Sequence, residues 1–225
     1  MDTRWSMDPS AVVEIDGTPV RTVPVEVAPG LCITIFESSS ADDRLDDAIA
    51  DSAVDPYASV LWPASIAVAM ELPQLVSPGD FVLDLGAGTG LATLTAARLG
   101  AYATAYDHDP FALRLVEEAA RMQGLAVDTI HFDLHSPDPL PPADLITVAD
   151  LFYDHDLADS VARRVVEHVL RGGLALIGDP GRTASPTFLE HLDESGIYGH
   201  HYVIEVQPPG DGELSTTVGI HVYGE

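Results

Sequence analysis

Asp84, Gly86, Gly88 and Gly90 stand in the stretch DLGAGTG, directly after the apolar run Phe81-Val82-Leu83. Glycine lets a chain turn with positive φ and lets a ligand come close to the backbone. A turn of this kind between a strand and a helix offers backbone N–H groups to a ligand. Two ligands suit it: a dinucleotide pyrophosphate and S-adenosylmethionine (SAM). The dinucleotide fingerprint is G-x-G-x-x-G, and Leu91 takes the place of its third glycine. Asp84, two residues before the first glycine, opposes a pyrophosphate but suits a ligand that carries an ammonium and a sulfonium. The spacing favours SAM over a dinucleotide, and either over a purely structural turn, which needs one glycine rather than three.

Other acids sit where strands are expected to end. Asp107, in AYATAYDHDP, is placed to accept from both hydroxyls of a ribose, with His108 beside it. Asp109 competes for that role, but its position before Pro110 suits a helix cap. Asp133, in HFDLHS, is placed to accept from an adenine amino group, with Phe132 or Leu134 alongside. The expected cofactor contacts are completed by Ala87 in the glycine loop and by Ala149 at the end of the next strand.

Beyond Ala149, Asp150 and Tyr153 form D-x-x-Y in ADLFYDHDLA. Methyl transfer from a sulfonium is a direct displacement, so the acceptor must present a lone pair in line with the methyl group. A lysine amine has a reference pKa of ~10.4, and only roughly one in a few thousand is neutral near pH 7. A site that uses such an amine must orient and desolvate it. A carboxylate can orient it by hydrogen bonding, and a tyrosine ring can favour a cationic group. Asp150 and Tyr153 are therefore the candidate catalytic residues. The competing reading is structural: Asp150 caps a helix that starts near Asp154, and Phe152 and Tyr153 pack as core.

The elements that must hold these residues follow from periodicity. Short strands are expected at 11–15 and 31–36, separated by Pro and Gly turns, and a helix is expected to open at the serines of SSSADDRLDDAIA. After a loop, a helix starts at Pro63. From residue 80 the pattern alternates, with strands at 80–85, 102–106, 127–132, 143–149 and 173–178. Helices fit 90–99, 110–123, 156–170 and 184–195. Leu157, Val161, Val165 and Val169 recur every four residues and would face a sheet. Such alternation implies a parallel sheet with helices on both faces. HHYVIEVQ and STTVGIHVY then follow each other as an antiparallel pair. The expected fold is α/β: a Rossmann-like, doubly wound seven-strand sheet, mostly parallel, with an antiparallel C-terminal hairpin. Residues 1–54 would form an N-terminal extension of two short strands and a helix, able to serve as a lid, and residues 55–225 the main domain.

The 225 residues carry 10 Lys+Arg against 36 Asp+Glu, a net charge of -26. Every basic residue is Arg; the chain has neither Lys nor Asn. This charge disfavours nucleic acid and anionic membranes as partners and would attract basic ones. The lack of Lys has a chemical consequence: the protein cannot methylate lysine side chains of its own. Cys32 is the single cysteine, which excludes an internal disulfide and a cysteine-rich zinc site. His200, His201 and His221 follow no metal-ligand pattern, so no metal is expected. The acid-rich stretch 42–51 reads as a solvated helix face. No signal-like segment and no membrane-length apolar run is visible, so a cytoplasmic monomer is expected.

The segments DPYASVLWPASIAVAMEL, VLDLGAGTG, AYDHDP, ADLFYDHDLA, GDPGR and STTVGIHVY occur in an order that resembles one family, the seven-strand protein lysine methyltransferases. Among these are the electron-transfer-flavoprotein β-subunit lysine methyltransferases, relatives often grouped with nicotinamide N-methyltransferase-like proteins. The resemblance spans roughly residues 55–222. It implies SAM as cofactor with S-adenosylhomocysteine (SAH) as product, and a lysine amine of a protein as acceptor. It also implies an acceptor channel lined by Asp150 and Tyr153, and a place for Trp62, of the Trp-Pro step, near the cofactor. Where those relatives follow Trp-Pro with two glycines, this chain has Ala64 and Ser65. Two alternatives stay open from the residues: a small-molecule methyltransferase with the same cofactor half, and a non-catalytic SAM-fold binding protein. In GDPGR, Asp179 and Arg182 either line the substrate mouth or form a turn with a salt-bridging arginine.

Overall fold

The structure is a computed structural model that describes residues 12–39, 57–209 and 215–224. Its centre is a seven-stranded sheet in the order β6-β5-β4-β7-β8-β10-β9. The strands are β4 (Phe81–Leu85), β5 (Tyr102–Asp107), β6 (Val127–His131), β7 (Leu145–Ala149), β8 (Leu174–Asp179), β9 (Gly199–Val206) and β10 (Thr216–Tyr223). Strands β4 to β8 pair in parallel, and β10 runs antiparallel to both β8 and β9. This is the expected sheet, with the expected hairpin. The chain steps outward from β4 through β5 to β6, then returns to the other side of β4 with β7. That reversal creates a crevice at the carboxyl ends of β4 and β7, the place where open α/β sheets bind ligands.

Helices α1 (Pro63–Leu75), α2 (Leu91–Arg98) and α3 (Pro110–Gln123) cover one face of the sheet; α4 (His155–Val169) and α5 (Ser185–Glu194) cover the other. Their boundaries follow local chemistry. Pro110 opens α3 behind Asp109, whose side chain accepts from the Phe111 N–H, and Gly124 closes it in a left-handed conformation. Asp154 caps α4 by accepting from the Leu157 N–H at 2.8 Å. Leu157, Val161 and Val165 are buried against the sheet, and Val169 packs at their margin.

The N-terminal segment departs from expectation. Its described residues form three strands rather than two: β1 (Val12–Ile15), β2 (Thr18–Ala28) and β3 (Leu31–Ser38), paired antiparallel in that order. Pro19 and Pro24 disguise β2, because proline removes a ladder donor. Pro24 lies beyond the end of β1, which reaches only Thr18–Arg21. It opposes Thr34, whose backbone groups face away from β2: the Gln123 side chain accepts from the Thr34 N–H at 3.0 Å and donates to its carbonyl at 2.8 Å. Val20, Val23, Val25, Val27, Ile33 and Ile35 share one core with α1, α2 and α3, so these strands are a further layer over the helices. The helix expected in SSSADDRLDDAIA lies outside the described residues. Among the described residues, no helix is long and apolar enough to cross a membrane.

Candidate functional site

A cavity of about 820 Å³ opens at the carboxyl ends of β4, β5 and β7. That volume is in the range of small-molecule and cofactor sites. One wall is the glycine loop. Gly86, Gly88 and Gly90 have φ of 66, 54 and 74°, the left-handed region where side chains are strained. A Cβ on Gly86 would also collide with the Leu151 side chain, and one on Gly88 would press on the Ala58 carbonyl at 3.2 Å. Gly86, Ala87 and Gly88 line the cavity. Gly90 does not; it is the N-cap of α2, packed where a Cβ would strike Val116.

Asp84 is a correction. Its carboxylate does not point into the loop. It is buried beneath it, accepting from the Thr93 N–H at 3.1 Å, the Thr93 hydroxyl at 2.7 Å and the Thr147 hydroxyl at 2.7 Å. It ties β4 to α2 and β7 and is absent from the cavity wall. Burial pushes this carboxyl up to about 6 even though all three bonds act in the opposite direction. Its folded pKa thus lies above the unfolded value of ~3.9. The folded state binds the proton first as pH falls, so this group adds stability on acidification from about 6 to ~4 and opposes folding at neutral pH. In denaturant titrations at several pH values, the stability of the parent relative to Asp84→Asn should therefore grow as pH falls through that window. A difference that stays constant with pH would show that Asp84 does not titrate there.

Asp107 ends β5 at the cavity wall, buried except for that face. Its Oδ2 accepts from the Gly88 N–H at 2.9 Å and its Oδ1 from the Asp109 N–H at 2.8 Å. Burial raises its pKa against the pull of these bonds. Each oxygen keeps a second lone pair, so the carboxylate can both brace the glycine loop and accept from a ligand. Asp109 is the helix cap that its sequence position suggested. His108 lines the cavity with its ring nitrogen 3.6 Å from Asp107.

The next wall comes from residues after β6. Asp133 lines the cavity, and its Oδ1 accepts from the His135 N–H at 2.9 Å. Phe132 stands edge-on to Tyr106, with the Arg164 guanidinium 5.3 Å from its ring centre. Arg164 was not anticipated. Its side chain is fully buried and donates to the carbonyls of Ser136 and Asp138, which fixes the segment that carries Asp133.

Ala149, Asp150 and Tyr153 line the remaining side. Asp150 is not a helix cap; Asp154 is. Its φ is +61°, uncommon for a residue with a side chain and tolerated best by Asn, Asp and His. Its N–H donates to the Gly178 carbonyl at 3.0 Å, and its carboxylate receives a two-pronged bond from Arg182, Nε to Oδ1 at 2.6 Å and Nη2 to Oδ2 at 2.8 Å. Phe152 is core, stacked on Phe188, whereas Tyr153 stands at the mouth, 53% exposed. Of the two readings of GDPGR, the turn with a salt-bridged arginine is the one seen, and Arg182 but not Asp179 also lines the cavity. Asp179 shapes the turn by accepting from the Gly181 and Arg182 N–H groups at 3.0 and 3.1 Å. Trp62 reaches the cavity with its indole N–H on the Tyr57 carbonyl at 3.0 Å and the Arg182 guanidinium 5.4 Å from its ring centre.

The histidines near the C-terminus lie apart from this cavity. His201 and His221 face each other across β9 and β10 with Nδ1 atoms 2.6 Å apart. Among the described residues, no three His, Cys, Asp or Glu side chains are grouped to hold a metal ion.

Residues 82–173 match a family described as a methyltransferase domain. This chain carries a class I SAM-dependent methyltransferase domain. It is 34% identical over 161 residues to the electron transfer flavoprotein beta subunit lysine methyltransferase of Mus musculus, covering 64% of this chain and 57% of that protein. It is also 33% identical over 126 residues to the ribosomal protein L11 methyltransferase of Thermus thermophilus, covering 56% and 48%. The domain thus spans about half the length of the relatives it matches. Its fold is that of a TehB-like SAM-dependent methyltransferase from Corynebacterium glutamicum, with a TM-score of 0.55 at 19% identity over 81% of this chain and 95% of that one. Domain and fold imply SAM as the cofactor. The cavity suits it: the loop leaves backbone bare at Gly86 and Gly88, and Asp107 lines the space beside them with its carboxylate on the Gly88 N–H.

Proposed function

We propose that the protein is a SAM-dependent N-methyltransferase that acts on a lysine amine of a protein substrate. The observation that carries this reading is that one cavity brings together a glycine-loop wall, a buried carboxylate and an exposed aromatic ring. Gly86, Ala87 and Gly88 would border the cofactor's amino-acid end, Asp107 and His108 its ribose, and Asp133 with Phe132 its adenine, while Trp62 and Ala149 close the walls. When bound, the cofactor supplies a methyl group on an electrophilic sulfonium. Asp84 and Gly90 have a different part: they hold the loop from below and behind.

Asp150 and Tyr153 would receive the acceptor. A carboxylate in a mostly apolar wall accepts a hydrogen bond from an amine and fixes the direction of its lone pair. The Tyr153 ring walls the approach and favours the cationic state in which a lysine arrives. The amine must lose a proton before it attacks, and desolvation in the cavity promotes that loss. The names of both groups of relatives describe methylation of a protein, which supports a macromolecular acceptor here. The net charge of -26 supports a basic one.

The test is incubation with methyl-labelled SAM and a lysate of the source cells, followed by hydrolysis of labelled bands. Labelled methyl-lysine in a protein band is the expected outcome. Label confined to small molecules would replace this reading with a small-molecule methyltransferase, and no label with a binding protein. The absence of Lys from the chain removes self-labelling at lysine as a confounding signal.

A further inference from the structure

Arg182 holds a position that a catalytic account of Asp150 must explain. Its guanidinium takes both oxygens of the carboxylate proposed to orient the acceptor. It also lies over the Trp62 ring at 5.4 Å, and it does both from inside the cavity wall. The two partners differ in freedom. The Asp150 side chain is 5% exposed and its backbone is held in a left-handed conformation, whereas the Arg182 side chain is 39% exposed. The Arg182 backbone is fixed by the Asp179 turn, so only its long side chain can move, and solvent lies on its open side.

We propose that Arg182 is a built-in stand-in for the acceptor cation, and that an alkylammonium acceptor binds by displacing it from Asp150 and from the Trp62 face. This rests on the reading of Asp150 as the acceptor's partner. The chemistry of the two cations supports an exchange. Both satisfy a carboxylate, and both are attracted to an aromatic face. A buried carboxylate left without any cation is costly, so Asp150 is never left bare: Arg182 covers it until an ammonium arrives. An uncharged acceptor cannot replace the guanidinium in either contact. Arg182 is thereby a specificity-determining residue, and it excludes neutral small molecules from the end of the cavity.

The proposal is tested with n-butylammonium chloride as the probe, titrated at constant ionic strength into SAH-loaded protein. The parent should bind it weakly. Arg182→Met, which keeps the bulk and removes the competing charge, should bind at least tenfold more tightly, and methylguanidinium should compete. Arg182→Met combined with Asp150→Asn should lose the gain. Arg182→Gln covers the case in which the Met variant does not fold, and it should show a smaller gain of the same sign. Folded variants that bind the probe no better than the parent would overturn the proposal, as would a gain that survives Asp150→Asn. Failure here is separable from failure of the functional reading. Lysine methylation in lysate without any Arg182 effect would remove only the stand-in. A clear Arg182 effect without methylation would remove only the lysine substrate.

Discussion

Replacing Asp150 with Asn should leave SAM affinity nearly unchanged and lower methyl transfer a hundredfold or more. Positioning of a reacting group contributes several kcal/mol to a barrier, and each ~1.4 kcal/mol is tenfold in rate. Asn is the informative substitution because of the backbone. At φ +61° Asn fits the left-handed region that Asp150 occupies, whereas Ala would add strain and confuse folding with catalysis. The amide keeps the volume and one acceptor oxygen but loses the charge that holds Arg182 and would receive the ammonium. Tyr153 refines the test. Phe keeps the ring and should cost little if the ring is what matters, while Ala should cost much. Turnover, SAM affinity and melting temperature measured on the same variants separate the roles. Normal turnover by folded Asp150→Asn protein would take this residue out of the mechanism.

The alternating half of the fold was legible because apolar period and turn residues agree along it. α3 shows this plainly: Pro110 opens it, Gly124 closes it, and both ends fall at the expected residues. β2 was hidden because two prolines argue against a strand, and the Gln123 amide that serves Thr34 opposite Pro24 comes from 89 residues away. The site shows the same division. The glycine loop and Asp107 announce themselves by residue type and spacing, since each sits next to its own strand end. Side-chain direction is another matter. Nothing in DLGAGTG says that Asp84 turns beneath the loop, because that depends on the hydroxyls of Thr93 and Thr147 on two other elements. The Asp150–Arg182 pair joins turns after β7 and β8, 32 residues apart, and only the parallel pairing of those strands brings the turns together.

Asp107→Ala should weaken SAH and SAM binding by roughly 2–4 kcal/mol, the worth of a charge-assisted acceptor for hydroxyls, or about 30- to 1,000-fold in Kd. The structure adds a second route to the same loss. Asp107 also accepts from the Gly88 N–H at 2.9 Å, so its removal frees the glycine loop whether or not the carboxylate meets a ribose. A double-mutant cycle with the ligand as one partner separates the two. Calorimetry would compare SAH with an analogue lacking the ribose 2′-hydroxyl, on the parent and on Asp107→Ala. If the carboxylate accepts from that hydroxyl, the analogue binds the parent more weakly than SAH does, and the two ligands bind the variant alike. If Asp107 acts only by bracing the loop, removing the hydroxyl costs the same in both proteins. In that outcome Asp107 is a positioning residue, and the ribose acceptor must be sought elsewhere on the cavity wall.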